Sequence, residues 1–379
     1  MSLNLMNVYM LFLISIFSVL KSQDVPVKDK FKIDHSKEII FGQSRYKSGS
    51  FKLYGDFIEY GILACFNSIN EKGGINGKKL RLISMDDKGE PVLAEKNIRK
   101  MLTDYKIDMF LGNMGTRSIL KVLPLIRNEK IVMFFPWGGD PKLRDSSLRY
   151  IISGPGFIKP QVELLVNHII NNLGFKNIAI FHSDDSFSTN VKNETIELLK
   201  EYDIKRLTVA DYNRFTMNIR RPADKLLNTD PKVIICIATS HPTVKLINRF
   251  FEKGDFGTTF VGIDSTFLVA DILKEKGARF FYTASVPDPK DTSVPIVKEY
   301  QENTKKFFPD EIFNSLSLTY YICAKIIVTA IQRISGLITK EKIIEQIEQM
   351  QNYDLGGFKI NFDFKNRYAF GQTAYLIKG

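Results

Sequence analysis

From residue 38 onward the chain alternates short apolar runs with amphipathic helical stretches, joined by brief polar connections. This order constrains the fold more than any other feature. Strands separated by helices return parallel to one another, and helices laid on the sheet bury its faces. Glu38 to Gly42 predicts a first strand. Leu53 to Glu71 predicts a helix, because Phe57, Gly61, Ala64, Cys65, Ser68 and Ile69 share one face at three-four spacing. Gly73-Gly74 ends it, since the left-handed backbone at a helix C-terminus favours glycine. A turn over Ile75 to Lys78 leads to a strand over Leu80 to Met85.

The rhythm continues with a helix over Val92 to Tyr105, strands at Ile107–Leu111, Ile131–Phe135 and Tyr150–Ser153, and a helix from about Arg117. The second half repeats it, with strands near Ile178–Phe181, Arg206–Val209, Val233–Ala238, Phe260–Ile263 and Phe280–Ser285. Helices are expected at Val162–Leu173, Asn190–Tyr202, Asn218–Asn228, Thr243–Lys253 and Phe267–Lys274. After Pro287 the pattern becomes helical, at Val294–Phe307, Ser315–Ile334 and Lys340–Met350, and a strand pair (Phe358–Phe362 with Ala374–Ile377) closes the chain. The sequence therefore predicts an α/β protein of two doubly wound units, joined near Gly154-Pro155-Gly156, with a return near Val286-Pro287. Two such lobes sharing several crossings make a hinge.

Length and charge fit this division. The 379 residues suffice for two ordinary cores. The net charge of +11 comes from lysines and arginines scattered among acids, with no run of five like charges, so no nucleic-acid partner is expected. Val8 to Leu20 is an apolar run of signal-peptide length, short for a membrane span. No Lys or Arg precedes it and no clean small-x-small site follows, so 1–22 reads as either a signal peptide cleaved near Ser22 or a retained anchor. Cys65, Cys236 and Cys323 read as small buried hydrophobes, not as disulfide partners. The four histidines are isolated, so no metal site and no cofactor is expected.

Catalytic signatures are missing. The chain has no G-x-G-x-x-G after a strand, no phosphate-binding G-x-x-x-x-G-K-[ST], no G-x-S-x-G elbow and no H-E-x-x-H. Asp86-Asp87 and Asp184-Asp185 are acidic pairs at strand ends, but neighbouring residues there point apart. They read as loop caps and rim polarity, and the chain is expected not to be an enzyme.

In open parallel sheets, ligands bind beyond the carboxyl ends of the strands. There the sequence places Gly112 to Ser118 (GNMGTRS), running into a helix. Its first amides and dipole suit a carboxylate, and an ordinary Thr or Ser N-cap is the competing reading. Pro136-Trp137-Gly138-Gly139 sets the chain's single Trp beside two glycines, where it offers a stacking face or packs across the hinge. Facing these are Phe157, Asp185-Ser186-Phe187, Ser240-His241 and Asp264. Asp264 would pair with an ammonium or cap the following helix.

Several of these segments resemble one family. Gly42-Gln43-Ser44, Ser48-Gly49-Ser50, Gly55 and FNSINEKGGING (Phe66 to Gly77) resemble the N-terminal signature of type I solute-binding proteins of the branched-chain amino-acid, amide and urea transporter group. Ser84 to Asp87, Gly112 to Ser118, FPWGGDPKLR (Phe135 to Arg144), Val286 to Pro289 and the helix at Ser317 to Ala330 match in order and spacing. The resemblance runs from about 38 to 379. It implies the type I periplasmic binding protein fold: two Rossmann-like lobes with parallel sheets and a three-crossing hinge. The lobes would be 36–155 plus 287–350, and 156–286 plus 351–379.

By position, the resemblance implies that Thr116 and the amides of the Gly115–Ser118 turn hold a ligand carboxylate, with Gly138 and Gly139 adding backbone contacts. Phe187 would close the cleft, and Asp264 would hold an ammonium. Ser48, Arg117, Ser118, Trp137, Phe157 and Ser240 complete the expected ligand-binding set. Phe157 and Phe187 stand where the family often has tyrosine, Trp137 where small residues are frequent, and Arg117 adds a charge. The resemblance further implies capture of a small amino-acid-like or amide-like solute outside the cytoplasm, delivery to an ABC transporter permease, and a monomeric state. A ligand-sensing module of the same fold is the alternative.

Overall fold

The computed structural model describes residues 33–154, 158–273, 276–363, 368–370 and 374–378. The apolar segment 8–20 and Phe157 lie outside them. The first sheet contains β1 (Glu38–Arg45), β2 (Lys79–Asp86), β3 (Met109–Leu111), β4 (Val132–Phe134) and β5 (Ile151–Ile152) in the order β2-β1-β3-β4-β5. All its pairings are parallel. Between the strands run α1 (Lys52–Glu71), α2 (Pro91–Asp104) and α3 (Thr116–Arg127).

The second sheet repeats the plan with β6 (Asn177–Ser183), β7 (Arg206–Tyr212), β8 (Val233–Ile237), β9 (Thr259–Gly262) and β10 (Phe280–Ala284). Their order, β7-β6-β8-β9-β10, is that of the first sheet with the numbers advanced, so the two lobes share one topology. Its helices are α4 (Ile158–Asn167), extended by a π-turn over His168–Asn172, then α5 (Ser186–Leu199), α6 (Arg220–Leu227), α7 (Ser240–Glu252) and α8 (Val269–Leu273). Ile178, Ile180, Val233, Ile235 and Val261 are fully or almost fully buried, which accounts for their continuous apolar runs.

The chain then returns through α9 (Pro295–Phe307), α10 (Ser315–Gln332) and α11 (Lys340–Glu348). Asn314 caps α10 by accepting the Ser317 amide at 2.9 Å. This helix is apolar on all sides because it is buried on nearly all of them. By length and composition it could cross a membrane, but 89% of it is buried within the protein. It packs on α1, where a β-carbon on Gly61 would run into the Ser317 carbonyl. Glycine is required there by close approach, not by backbone angle. All three cysteines are buried and free, as expected.

One sequence expectation is corrected. The closing strands do not pair with each other. β12 (Lys359–Asp363) lies between β11 (Tyr353–Asp354) and β13 (Tyr368–Phe370), whereas β14 (Tyr375–Lys378) joins β10 antiparallel. An apolar run signals a strand without saying which open edge it will satisfy. The stretch 351–379 is accordingly divided. The Ile296 amide of α9 donates to Gly356 at 2.8 Å and the Phe362 amide to Met350 at 3.0 Å, while β14 alone enters the second sheet. The loop after β4 contains a short 3₁₀ turn, Pro141–Arg144, capped by Asp140.

Candidate functional site

A cavity of about 440 Å³ opens where the carboxyl ends of the two sheets face each other. From the first lobe it is lined by Tyr46 after β1, Thr116 and Arg117 at the start of α3, and Trp137 to Gly139 after β4. From the second lobe come Ser183 to Ser188 at the end of β6 and beyond, Tyr212 and Arg214 at the end of β7, and Ile263 to Ser265 after β9.

The first turn of α3 carries no side-chain cap. Gly115 stands at the N-cap with φ 98° and has no side chain to cap the helix, so Thr116 is the first helical residue rather than the cap. The amides of Thr116, Arg117 and Ser118 have no partner within the helix by its geometry, and the helix dipole adds positive potential. The Gly115 amide is spent on the Trp137 carbonyl at 3.0 Å, which locks the two loops together. Thr116 Oγ1 accepts the Gly139 amide at 3.1 Å and keeps its own proton for another acceptor. The contact expected from the Gly139 backbone is therefore used inside the protein. Ser118 Oγ is buried and has no partner among the described residues.

Asp264 forms the opposite pole. The 3₁₀ turn Asp264–Thr266 has Ile263, not Asp264, at its N-cap, so the capping reading is set aside. Its Oδ2 instead accepts Gln161 Nε2 at 2.8 Å and Ser285 Oγ at 2.7 Å. Oδ1 is buried and has no partner among the described residues. Burial raises the carboxyl to about 6, against the hydrogen bonds from Ser285 and Gln161. A carboxylate left half-satisfied at a cavity wall is what a guest ammonium would relieve.

Side chains of the two lobes meet across the cleft beside this cavity. Tyr54 on α1 donates to the Ser265 carbonyl at 3.2 Å and accepts the Ser240 amide at 3.0 Å, so one phenol ties the lobes together. Trp137 stacks on Tyr54 within its own lobe, with centroids 5.6 Å apart at 15°. Tyr54 in turn meets Phe267 of the second lobe edge to face at 5.7 Å. Phe187 lies directly on the α-carbon of Gly139.

Of the expected residues, Thr116, Arg117, Trp137, Gly138, Gly139, Phe187 and Asp264 line the cavity together. Ser118 and Ser240 border it without lining it, Ser240 Oγ being engaged with the Ser265 carbonyl and the Leu268 amide. Ser48 lies away from it: its hydroxyl donates to Asp86 at 2.7 Å and holds the β1 and β2 loops together. The acidic pairs act as loop caps. Asp185 accepts the Ser188 amide at the start of α5, and Asp184 accepts the Arg214 amide. Sequence reasoning missed Tyr46, Tyr54, Tyr212 and Arg214. Apart from Tyr54, a helix residue, these lie at the carboxyl ends of β1 and β7 and were open to the strand-end rule.

The profile of the periplasmic binding protein family matches residues 38–378. The chain belongs to that family. Among solved periplasmic binding proteins it is similar to a possible leucine/isoleucine/valine-binding protein from Rhodopirellula baltica, with a TM-score of 0.79 and 24% identity over 90% of this chain and 93% of that one. It is also similar to a branched chain amino acid ABC transporter protein from Thermus thermophilus with bound valine, with a TM-score of 0.80 and 16% identity over 90% and 93% of the two chains. At these identities the likeness shows the shared fold. A curated amino acid binding protein of Pseudomonas aeruginosa is 21% identical over 57% of this chain, and the match spans 58% of that relative's length.

Proposed function

We propose that this periplasmic binding protein is an extracytoplasmic receptor. It closes its lobes on one small amino-acid-like or amide-like solute and delivers it to an ABC transporter permease. The observation that carries this reading is the pairing of an uncapped α3 N-terminus with Asp264, whose Oδ1 lacks a partner among the described residues, on the walls of one cavity between the lobes. One wall suits a carboxylate and the other an ammonium. The Ser183 and Ser188 hydroxyls that reach Asp185 in the cavity wall belong to the N-terminal cap of α5, which fits binding rather than catalysis. The relatives named for amino-acid binding support the same chemistry.

In this reading the first lobe comprises the sheet of β1 to β5 with α9 to α11 and β11 to β13. The second comprises β6 to β10 with β14. The chain acts as a monomer on the outer side of the cytoplasmic membrane. Closure selects its guest because a wrong one leaves polar groups buried and unpaired. The test is a thermal-shift and calorimetric screen of amino acids, amides and short organic acids against the full chain. A true ligand raises the melting temperature, and the rise grows with the logarithm of its concentration above its Kd. A panel without a single stabilising amino acid or amide would overturn the reading.

A further inference from the structure

The cavity is larger and more aromatic than a leucine-sized guest requires. Its 440 Å³ falls within the roughly 300–1,000 Å³ of pockets that enclose drug-sized molecules. Six aromatic side chains line it: Tyr46, Phe51, Trp137, Phe187, Tyr212 and Phe215. It is also long. Arg214 follows β7 and Asp264 ends β9, and β6 and β8 lie between those strands, so the strand ends are about 14 Å apart at the usual spacing.

Two guanidinium groups share this aromatic space. Arg117 from the first lobe and Arg214 from the second both line it, and neither has a carboxylate partner among the described residues. Arg214 sits over the rings of Phe51 and Phe215, 5.4 Å from each centroid. Both charges reach the Tyr46 hydroxyl, where they oppose the upward push of burial and of Asp87. Guanidinium groups that lack a carboxylate partner and sit among aromatic rings favour an electron-rich π face.

We infer that the guest is an aromatic amino acid. Its carboxylate lies on the first turn of α3, its ammonium on Asp264, and its ring in the space walled by Trp137, Tyr212 and the Arg117–Arg214 pair. The inference rests on the amino-acid reading above and narrows it.

Isothermal titration of the full chain with tryptophan, tyrosine, phenylalanine, leucine and glutamate tests it. Tryptophan is expected to bind at least about tenfold more tightly than leucine, the worth of one desolvated stacking or cation–π contact. Arg214→Gln should narrow the tryptophan-to-leucine ratio toward unity while the melting temperature of the empty protein holds. If leucine binds most tightly, the aromatic assignment fails and the amino-acid reading survives. The same holds if glutamate does, because the arginines then serve a second anion. A ratio that Arg214→Gln leaves unchanged also overturns the assignment. If none of the five binds, the aromatic assignment fails, and the wider panel of amino acids and amides decides the reading it rests on.

Discussion

The ring of Phe187, carried by the second lobe, rests on the α-carbon of Gly139 in the first, so closely that a β-carbon on Gly139 would overlap the ring. One missing side chain thus lets the cleft shut. Gly139→Ala should prop the lobes apart. Overpacking of this kind costs about 1–3 kcal/mol, which would appear as a roughly tenfold to hundredfold loss of ligand affinity. The clash exists only between lobes, so the melting temperature of the empty, open protein should change little. Calorimetry with small-angle scattering checks both halves, and unaltered affinity would refute the contact as a closing device.

Tyr54 makes the corresponding polar link. Tyr54→Phe removes the donor to the Ser265 carbonyl and leaves the Ser240 amide without its acceptor in the closed form. A buried polar group left unpaired costs about 1–3 kcal/mol. The variant should bind its ligand about tenfold less tightly, mainly through faster release. Stopped-flow dissociation measures this, and a wild-type off-rate would count against the link.

Asp264 predicts opposite effects on stability and on binding. Its carboxyl is raised from 3.8 to about 6 by burial. Between those values the folded state holds the proton that the unfolded chain has lost. Stability from this group is therefore greatest below about pH 4 and declines as pH rises to 6, with roughly 3 kcal/mol forgone above that. Asp87, also raised to about 6 by burial, acts in the same direction. Comparison with Asp264→Asn isolates the single group. The variant should melt a few degrees higher than wild type at pH 7.5 and lose most of its affinity for an amino acid. Wild-type affinity should fall by up to about tenfold per pH unit below 6, as a proton displaces the ligand ammonium. Binding that is equally tight at pH 5 and pH 7.5 would remove Asp264 from the site.

Gly61→Ala tests the packing of the first lobe. The new methyl group would meet the Ser317 main-chain carbonyl of α10, which cannot rotate away as a side chain would. The expected destabilisation is about 1–3 kcal/mol, read as a lower denaturation midpoint. Ligand affinity of the folded fraction should stay near wild type, which distinguishes this variant from Gly139→Ala.

The strand-end rule located Thr116, Trp137, Phe187 and Asp264 from sequence because each follows an apolar run that ends sharply. It missed Tyr46 and Arg214 because the apolar runs of their strands stop before the strands themselves do. The expected first strand ended at Gly42 but runs to Arg45, and the expected strand at Arg206–Val209 runs to Tyr212. Gln43, Ser44 and Arg45 break the apolar pattern, yet all three are buried. Gln43 Nε2 donates to the Gly112 carbonyl, Ser44 to Asp87, and Arg45 to Asp56 and Glu59. Polar residues continue a buried strand when distant partners satisfy them, and those partners are invisible to a window of neighbours.

Local periodicity and turn chemistry were thus enough to determine two parallel α/β lobes with exposed helix starts at their strand ends, because strands and helices are written in the spacing of apolar residues. Other features were decided only when the chain folded: the partner of β14, the lock between Tyr54 and Ser240, the seat of Phe187 on Gly139, and the approach of Arg117 and Arg214 to the Tyr46 hydroxyl. Each joins residues far apart in the chain, and their contact follows from how the two sheets face each other rather than from any stretch of sequence.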